Sequence, residues 1–341
     1  MLLSFAPTEL MLAAIAIPFI GALAIVVCSF HRNVREAATL TTAFSLFWVV
    51  ISLLPHILDG ARPSVTLVEP LAGLGIAFAV EPLGMLFALI ASGLWIVNSI
   101  YSIGYMRGNN EPRQTLFYLC FAIALGATMG LAFSANLLTL FLCYEILTLS
   151  TYPLVTHKMN DNAKEAGRVY LGLLIGTSMV LLLPAILFTW AVAGTVTFTP
   201  GGVLPETMTP LAVGMLFALF LFGIGKAAVM PGHAWLPAAM VAPTPVSALL
   251  HAVAVVKAGV FTVVKVVVYI FGIETLSSTG QGAWLVPVAG FTIVVASLIA
   301  LQQSNLKKRL AFSTVSQLSY VVLAAAILTP ISAVGAAMHI A

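Results

Sequence analysis

The chain has 341 residues, of which 61% are hydrophobic and 7% charged, with a formal net charge of +3 at pH 7. An ordinary soluble domain carries about 25% charged residues, so a mostly water-facing surface is excluded and the bilayer is the expected solvent. The apolar runs are continuous over about 20 residues and do not alternate with period two, which selects an all-α integral membrane bundle over a closed barrel.

In chain order, the first spans are expected at 9–30 and 37–55. The N-terminus has neither a basic n-region nor a clear cleavage site, so the first apolar stretch reads as a retained helix and not a signal peptide. Residues 64–80 are too short and too Gly-broken to span, and the run Ser-Val-Thr-Leu-Val before Gly73 and Gly75 predicts an extended hairpin on the outer face. Further spans follow at 82–105, 114–133, 136–156, 168–194, 209–230, 244–272, 284–303 and 309–329, which makes ten complete helices. Thr244 is expected as the N-cap of the eighth, with Pro245 at its first helical position. An eleventh begins at Ile331 and has only about 11 residues before Ala341, too few to cross, so the chain reads as truncated, split or part of a longer polypeptide. Cys28, Cys120 and Cys143 lie far apart in apolar runs, which indicates neither a disulfide framework nor a metal site.

Charge tests the span count. One set of alternate connections receives Arg32, Arg35, Arg107, Arg113, Lys158, Lys164, Arg168, Lys307, Lys308 and Arg309, while the other receives only Arg62. The positive-inside rule then puts the basic loops in the cytoplasm and the N-terminus outside.

Three basic residues remain, Lys226, Lys257 and Lys265, and all fall within hydrophobic spans. Charge at bilayer depth costs several kcal/mol, about +2.5 to +3.5 on insertion scales, so each is a candidate functional residue unless it snorkels to the interface. Glu145 sits at the middle of the fifth span and cannot snorkel; it is either a structural partner or a titrating group. Lys226 stands among Gly223, Gly225, Pro231 and Gly232, which break the seventh helix as ion pathways commonly do, and Glu145 is its natural partner. His251 and Lys257 share the eighth span, but six residues separate them by about 9 Å and a large rotation, so water would have to bridge them. His251 carries the side chain whose unperturbed pKa is nearest neutrality. Lys265, nearer the helix end, is expected to snorkel. His233 either lines the cytoplasmic entry or faces a loop, and His339 lies in the unfinished last segment; with Lys265 these are secondary candidates. Ser313, Thr314, Ser316, Gln317, Ser319 and Tyr320 make the tenth span polar, which suits hydration or helix packing equally.

The string from Trp235 to Gly259, WLPAAMVAPTPVSALLHAVAVVKAG, together with Tyr144-Glu145 and Lys307 to Gln317, resembles the signature of the antiporter-like proton-pumping membrane subunits. That family includes the large membrane-arm subunits of complex I, their membrane-bound hydrogenase counterparts and the large Mrp antiporter subunits. The resemblance implies two inverted five-helix repeats, each with a broken helix. It makes Glu145 and Lys226 the ion pair, and His251 with Lys257 the relay of the next helix. On this reading 1–113 form an N-terminal three-helix region with the hairpin, 114–272 the first repeat, and 284–341 the start of a second repeat whose own broken helix and lysine are absent.

The leading expectation is a proton-translocating subunit of a multisubunit monovalent cation (Na⁺)/proton antiporter in a bacterial plasma membrane. Its expected partners are other membrane subunits, protons, Na⁺ and the lipid bilayer, with no nucleic acid. The alternatives are a proton-pumping subunit of an NADH:quinone oxidoreductase or hydrogenase complex, and a non-conducting scaffold. No dinucleotide fingerprint or cluster-binding cysteine set is visible, so no cofactor is expected and any redox chemistry would belong to other subunits.

Overall fold

The computed structural model describes residues 6–340, and their architecture is an α-helical bundle with one β-hairpin. Helices α1 (Pro7–Val27) and α2 (Arg32–Leu58) pair first, followed by β1 (Ser64–Leu71) and β2 (Leu74–Ala79). Then come α3 (Pro82–Gly108), α4 (Gln114–Ala132), α5 (Leu137–Val155) and α6 (Asp161–Ala193). The interrupted seventh span comprises α7 (Pro210–Gly223), a 3-10 turn at Gly225–Ala227 and the short α8 (Trp235–Ala238). It leads into α9 (Thr244–Phe271), the surface helix α10 (Ile273–Thr279), α11 (Leu285–Gln302), α12 (Leu306–Ala326) and α13 (Pro330–Ile340). Among the described residues nine helices are long and apolar enough to cross a membrane, and α7 and α13 are shorter apolar helices. Nine of the ten expected complete spans are present among the described residues, and the seventh, α7, falls short of full length because the Gly/Pro break ends it.

The most enclosed spans are α4 and α9, 78% and 83% buried, so they form the middle of the bundle. Helix starts follow the side chains available. Asn136 caps α5 by accepting from the Thr139 N–H at 2.8 Å, and Asn160 caps α6 through the Ala163 N–H at 2.8 Å. For α9 the expected register is off by one: Pro243 stays extended (φ −53°, ψ 150°) as the N-cap, Thr244 is the first helical residue, and no side chain caps this end. Proline supplies the fixed φ that a helix start needs and lacks the N–H that would be unpaired there.

The hairpin forms over the expected residues and pairs antiparallel. It is sewn to the α4–α5 connection, where Asn136 Nδ2 donates to the Gly75 carbonyl at 2.8 Å and the Ala77 N–H donates to Thr139 Oγ1 at 2.9 Å. The basic connections meet at the opposite end of the bundle. There Arg113 donates to the His157 carbonyl, and Lys307 Nζ donates to the Ala242 carbonyl at 2.7 Å. Arg35 and Arg107, read in the sequence as loop charges, are instead parts of a cluster. Arg35 and Glu36 are buried near the start of α2, Arg107 clasps Glu36 through Nε and Nη2, and Arg35 Nη2 donates to Gln114 Oε1 at 2.7 Å. A bidentate guanidinium on a buried carboxylate locks α2, α3 and α4 together at the basic end.

Candidate functional site

The break in the seventh span frees backbone groups at membrane depth, and neighbouring side chains satisfy them. The Lys226 N–H donates to the Tyr144 hydroxyl at 3.0 Å, Trp235 Nε1 donates to the Gly225 carbonyl at 2.9 Å, and the Met230 N–H reaches Thr292 Oγ1 at 3.3 Å. Non-helical backbone is tolerated in a bilayer only where protein or water meets its polar groups, and here protein does so.

Lys226 is fully buried. Its Nζ donates to the Tyr144 carbonyl and to Thr148 Oγ1, each at 2.6 Å, and lies 3.0 Å from the centre of the Tyr144 ring. Glu145, one residue along α5, is buried with neither carboxylate oxygen hydrogen-bonded, and it is not in ion-pair contact with Lys226, as the sequence led us to expect. Helix geometry explains the difference: Tyr144 and Thr148 are four apart and share the face toward the break, whereas Glu145 is rotated by about 100°. The two charges remain within electrostatic range, and Ser178 lies beside Glu145. Ser178 opens a π-helical stretch, Ser178–Leu182, inside α6, a distortion frequent at functional sites.

The break rests directly on α9. A Cβ on Gly259 would stand 2.7 Å from the Lys226 carbonyl oxygen, so only glycine allows this approach. Two residues before Gly259 is Lys257. It lines a cavity of about 270 Å³ with His251, Ser313, Thr314, Gln317 and His339 set among apolar walls such as Val260 and Leu318, so three of the sequence-predicted residues share one space. His251 Nδ1 is 3.1 Å from Thr314 Oγ1 and its Nε2 is 3.2 Å from Met240 Sδ. His251 itself sits in a second π stretch, Leu249–Val253, which interrupts the continuous helix that the apolar run predicts. The polar residues of α12 divide between both expected roles: Ser313, Thr314 and Gln317 face the cavity, whereas Ser316 packs on α11 through Ser297 Oγ at 2.9 Å. His233 is half-buried at the break with its ring 6.1 Å from that of Phe312, outside the cavity.

Lys265 does not snorkel. It is fully buried, its Nζ donates to the Ser134 carbonyl at 2.8 Å, and Glu81 Oε2 lies 3.5 Å away at the hairpin end. The Phe198 ring covers it at 4.0 Å. Sequence reading misses Glu81, because its place just before Pro82 looks like an exposed span start. The signal that could have found it is an unbalanced intramembrane lysine near the same membrane face.

This is a multi-pass helical membrane protein whose ionisable residues cluster around one broken span. The chain belongs to the NADH:quinone oxidoreductase/Mrp antiporter, TM family, whose model matches residues 134–341. It is 28% identical over 340 residues to the A/B subunit of a probable K(+)/H(+) antiporter of Rhizobium meliloti (strain 1021), covering 97% of this chain and 33% of that protein. It is 30% identical over 324 residues to the A1 subunit of a Na(+)/H(+) antiporter of Staphylococcus aureus, covering 90% of this chain and 38% of the relative. The chain thus spans about a third of the length of these curated relatives. The fold is similar to a chain of the Mrp complex from Dietzia sp. DQ12-45-1b, with TM-score 0.80 and 25% identity over 97% of this chain and 35% of that one. A chain of the membrane-bound sulfane sulfur reductase, an archaeal respiratory membrane complex, shares the fold with TM-score 0.81 and 22% identity, covering 93% of this chain and 64% of that one.

Proposed function

We propose that this chain carries protons within a multisubunit monovalent cation/proton antiporter. The observation that supports the reading most is the pairing of two buried charges of unequal satisfaction. Lys226 is held by two acceptors on α5, and Glu145, on the same helix, has a carboxylate with no hydrogen bond. A lysine on a flexible stem can leave the first arrangement for the second, and each position of its charge biases protonation of the groups nearby. Lys226 rests on α9 at Gly259, and Lys257, two residues earlier and turned about 200° around the same helix, lines the cavity with His251 and His339. Protons would pass between Lys226 and that cavity as the lysine moves.

Residues 114–272 would form the first antiporter-like repeat. With basic loops cytoplasmic, the hairpin and the N-terminus face outward, and the bacterial relatives favour a plasma membrane. Those relatives are named as subunits, which supports membrane partners for this chain, with Na⁺ or K⁺ as the exchanged ion. A redox-driven proton pump is the second reading, favoured by the family's inclusion of NADH:quinone oxidoreductases.

The test is dye-monitored proton flux in inverted vesicles holding the intact complex, first on adding Na⁺ or K⁺ and then NADH. Cation-driven flux abolished by both Lys226→Ala and Glu145→Gln, with assembly retained, is the expected result. Flux that needs NADH selects the redox pump, and undiminished flux in both variants leaves only a scaffold role.

A further inference from the structure

A second cavity lies away from the pathway, at the basic end of α4, α5 and α6. It measures about 460 Å³ and is walled by Arg113 on one side and by Lys164 and Arg168 on the other, with Leu116, Tyr152 and Pro153 between them. Lys164 and Arg168 are four residues apart and so share one face of α6. Gly167 brings that helix against the end of α5: a Cβ there would stand 3.1 Å from Tyr152 Cε2. Arg113 is fixed across the gap by its bond to the His157 carbonyl. Asp161 sits 3.6 Å from Lys164 but is fully exposed and does not line the cavity, so the walls carry three positive charges and no negative one.

The floor of this cavity continues down the bundle as an apolar stripe. On α5, Leu149, Ile146 and Leu142 are 57%, 40% and 38% exposed, at spacings that keep them on one face, and Leu116 is 40% exposed beside them. A cationic pocket at the end of a span, opening onto an exposed apolar groove within it, has the two chemistries of a phospholipid in the order a leaflet presents them. We propose that this is a binding site for an anionic phospholipid. Its phosphate sits among Arg113, Lys164 and Arg168, and one acyl chain lies along Leu149, Ile146 and Leu142. A free phosphate has no use for the stripe.

The full-length protein, delipidated in detergent, is titrated by native mass spectrometry with phosphatidylglycerol and with phosphatidylcholine of the same acyl chains. Phosphatidylglycerol is expected to be retained at concentrations at least about tenfold lower. The Lys164→Gln/Arg168→Gln variant should lose about fivefold in retention per side chain, corresponding to about 1 kcal/mol each, with phosphatidylcholine unaffected. Both substitutions are on exposed side chains and leave the fold intact, and Arg309→Gln, elsewhere on the basic end, should change nothing. Leu149→Asn should weaken both lipids. Equal retention of the two lipids, or displacement by millimolar inorganic phosphate alone, overturns the proposal. So does a double variant that binds lipid normally but loses a co-purifying subunit, which would assign the groove to a partner helix.

Discussion

Thr148→Val tests whether the resting position of Lys226 matters to transport. Valine keeps the shape of threonine and removes one acceptor from the ammonium, leaving the Tyr144 carbonyl at 2.6 Å as the other. A hydrogen bond to a charged group contributes about 1.5–3 kcal/mol, which is roughly a 10- to 150-fold shift in the balance between this position and one nearer Glu145. If the lysine must visit both positions in each cycle, the depleted one limits turnover. Cation-driven proton flux in inverted vesicles should then fall about tenfold or more. Thr128→Val is the matched control, because the Thr128 hydroxyl bonds only to the Ala124 carbonyl of its own helix at 2.8 Å. Flux within twofold of wild type in Thr148→Val, with Lys226→Ala still inactive, would refute the two-position account while leaving Lys226 essential.

Two further predictions concern stability. Glu81→Gln removes the carboxylate facing a fully buried Lys265, and breaking a buried pair costs about 3–5 kcal/mol; the partial exposure of Glu81 puts the loss at the low end. The melting temperature in detergent should drop for the single variant and recover in Glu81→Leu/Lys265→Met, and an unchanged single variant would deny the pair any structural weight. His157, in the turn after α5, has its pKa lowered, chiefly by burial, with Glu111 opposing from 3.6 Å. Its folded pKa therefore lies below the unfolded value of about 6.5, so its contribution is fully present above that value and is lost as pH falls through the lowered folded pKa. Melting measured from pH 7.5 down to 5 should show this decline, and His157→Gln should flatten it.

What the sequence discloses here follows from what a single helix can report. Continuous apolar runs and alternate-loop charge locate the eleven helices, and Gly223, Gly225, Pro231 and Gly232 announce the broken span, because those signals are local to one segment. The glycines and the run at Ser64 do the same for the hairpin. Partnerships between spans are not legible. Lys265 reads as a snorkelling residue until α3 and the α4–α5 connection bring Glu81 and the Ser134 carbonyl to it. Arg35 and Arg107 read as loop charges until Glu36 is seen between α2 and α3.

Glu145 and Lys226 are the instructive intermediate case. Each is recognisable as a buried charge, but their neighbourhood depends on rotation about α5, which gives Lys226 the Tyr144–Thr148 face and leaves Glu145 one step around it. The π stretches at Ser178 and Leu249 are equally silent in the apolar pattern, since a one-residue insertion in a turn leaves composition unchanged. Both sit beside candidate residues, Glu145 and His251. Among the described residues the spans are irregular at the broken span, at these two stretches and at a third π stretch, Val266–Phe271, which begins directly after Lys265, and an ionisable side chain stands at or beside each. A helix that only had to cross the membrane would gain nothing from such departures, so their coincidence with Glu145, Lys226 and His251 is itself an argument that these residues do more than hold helices together.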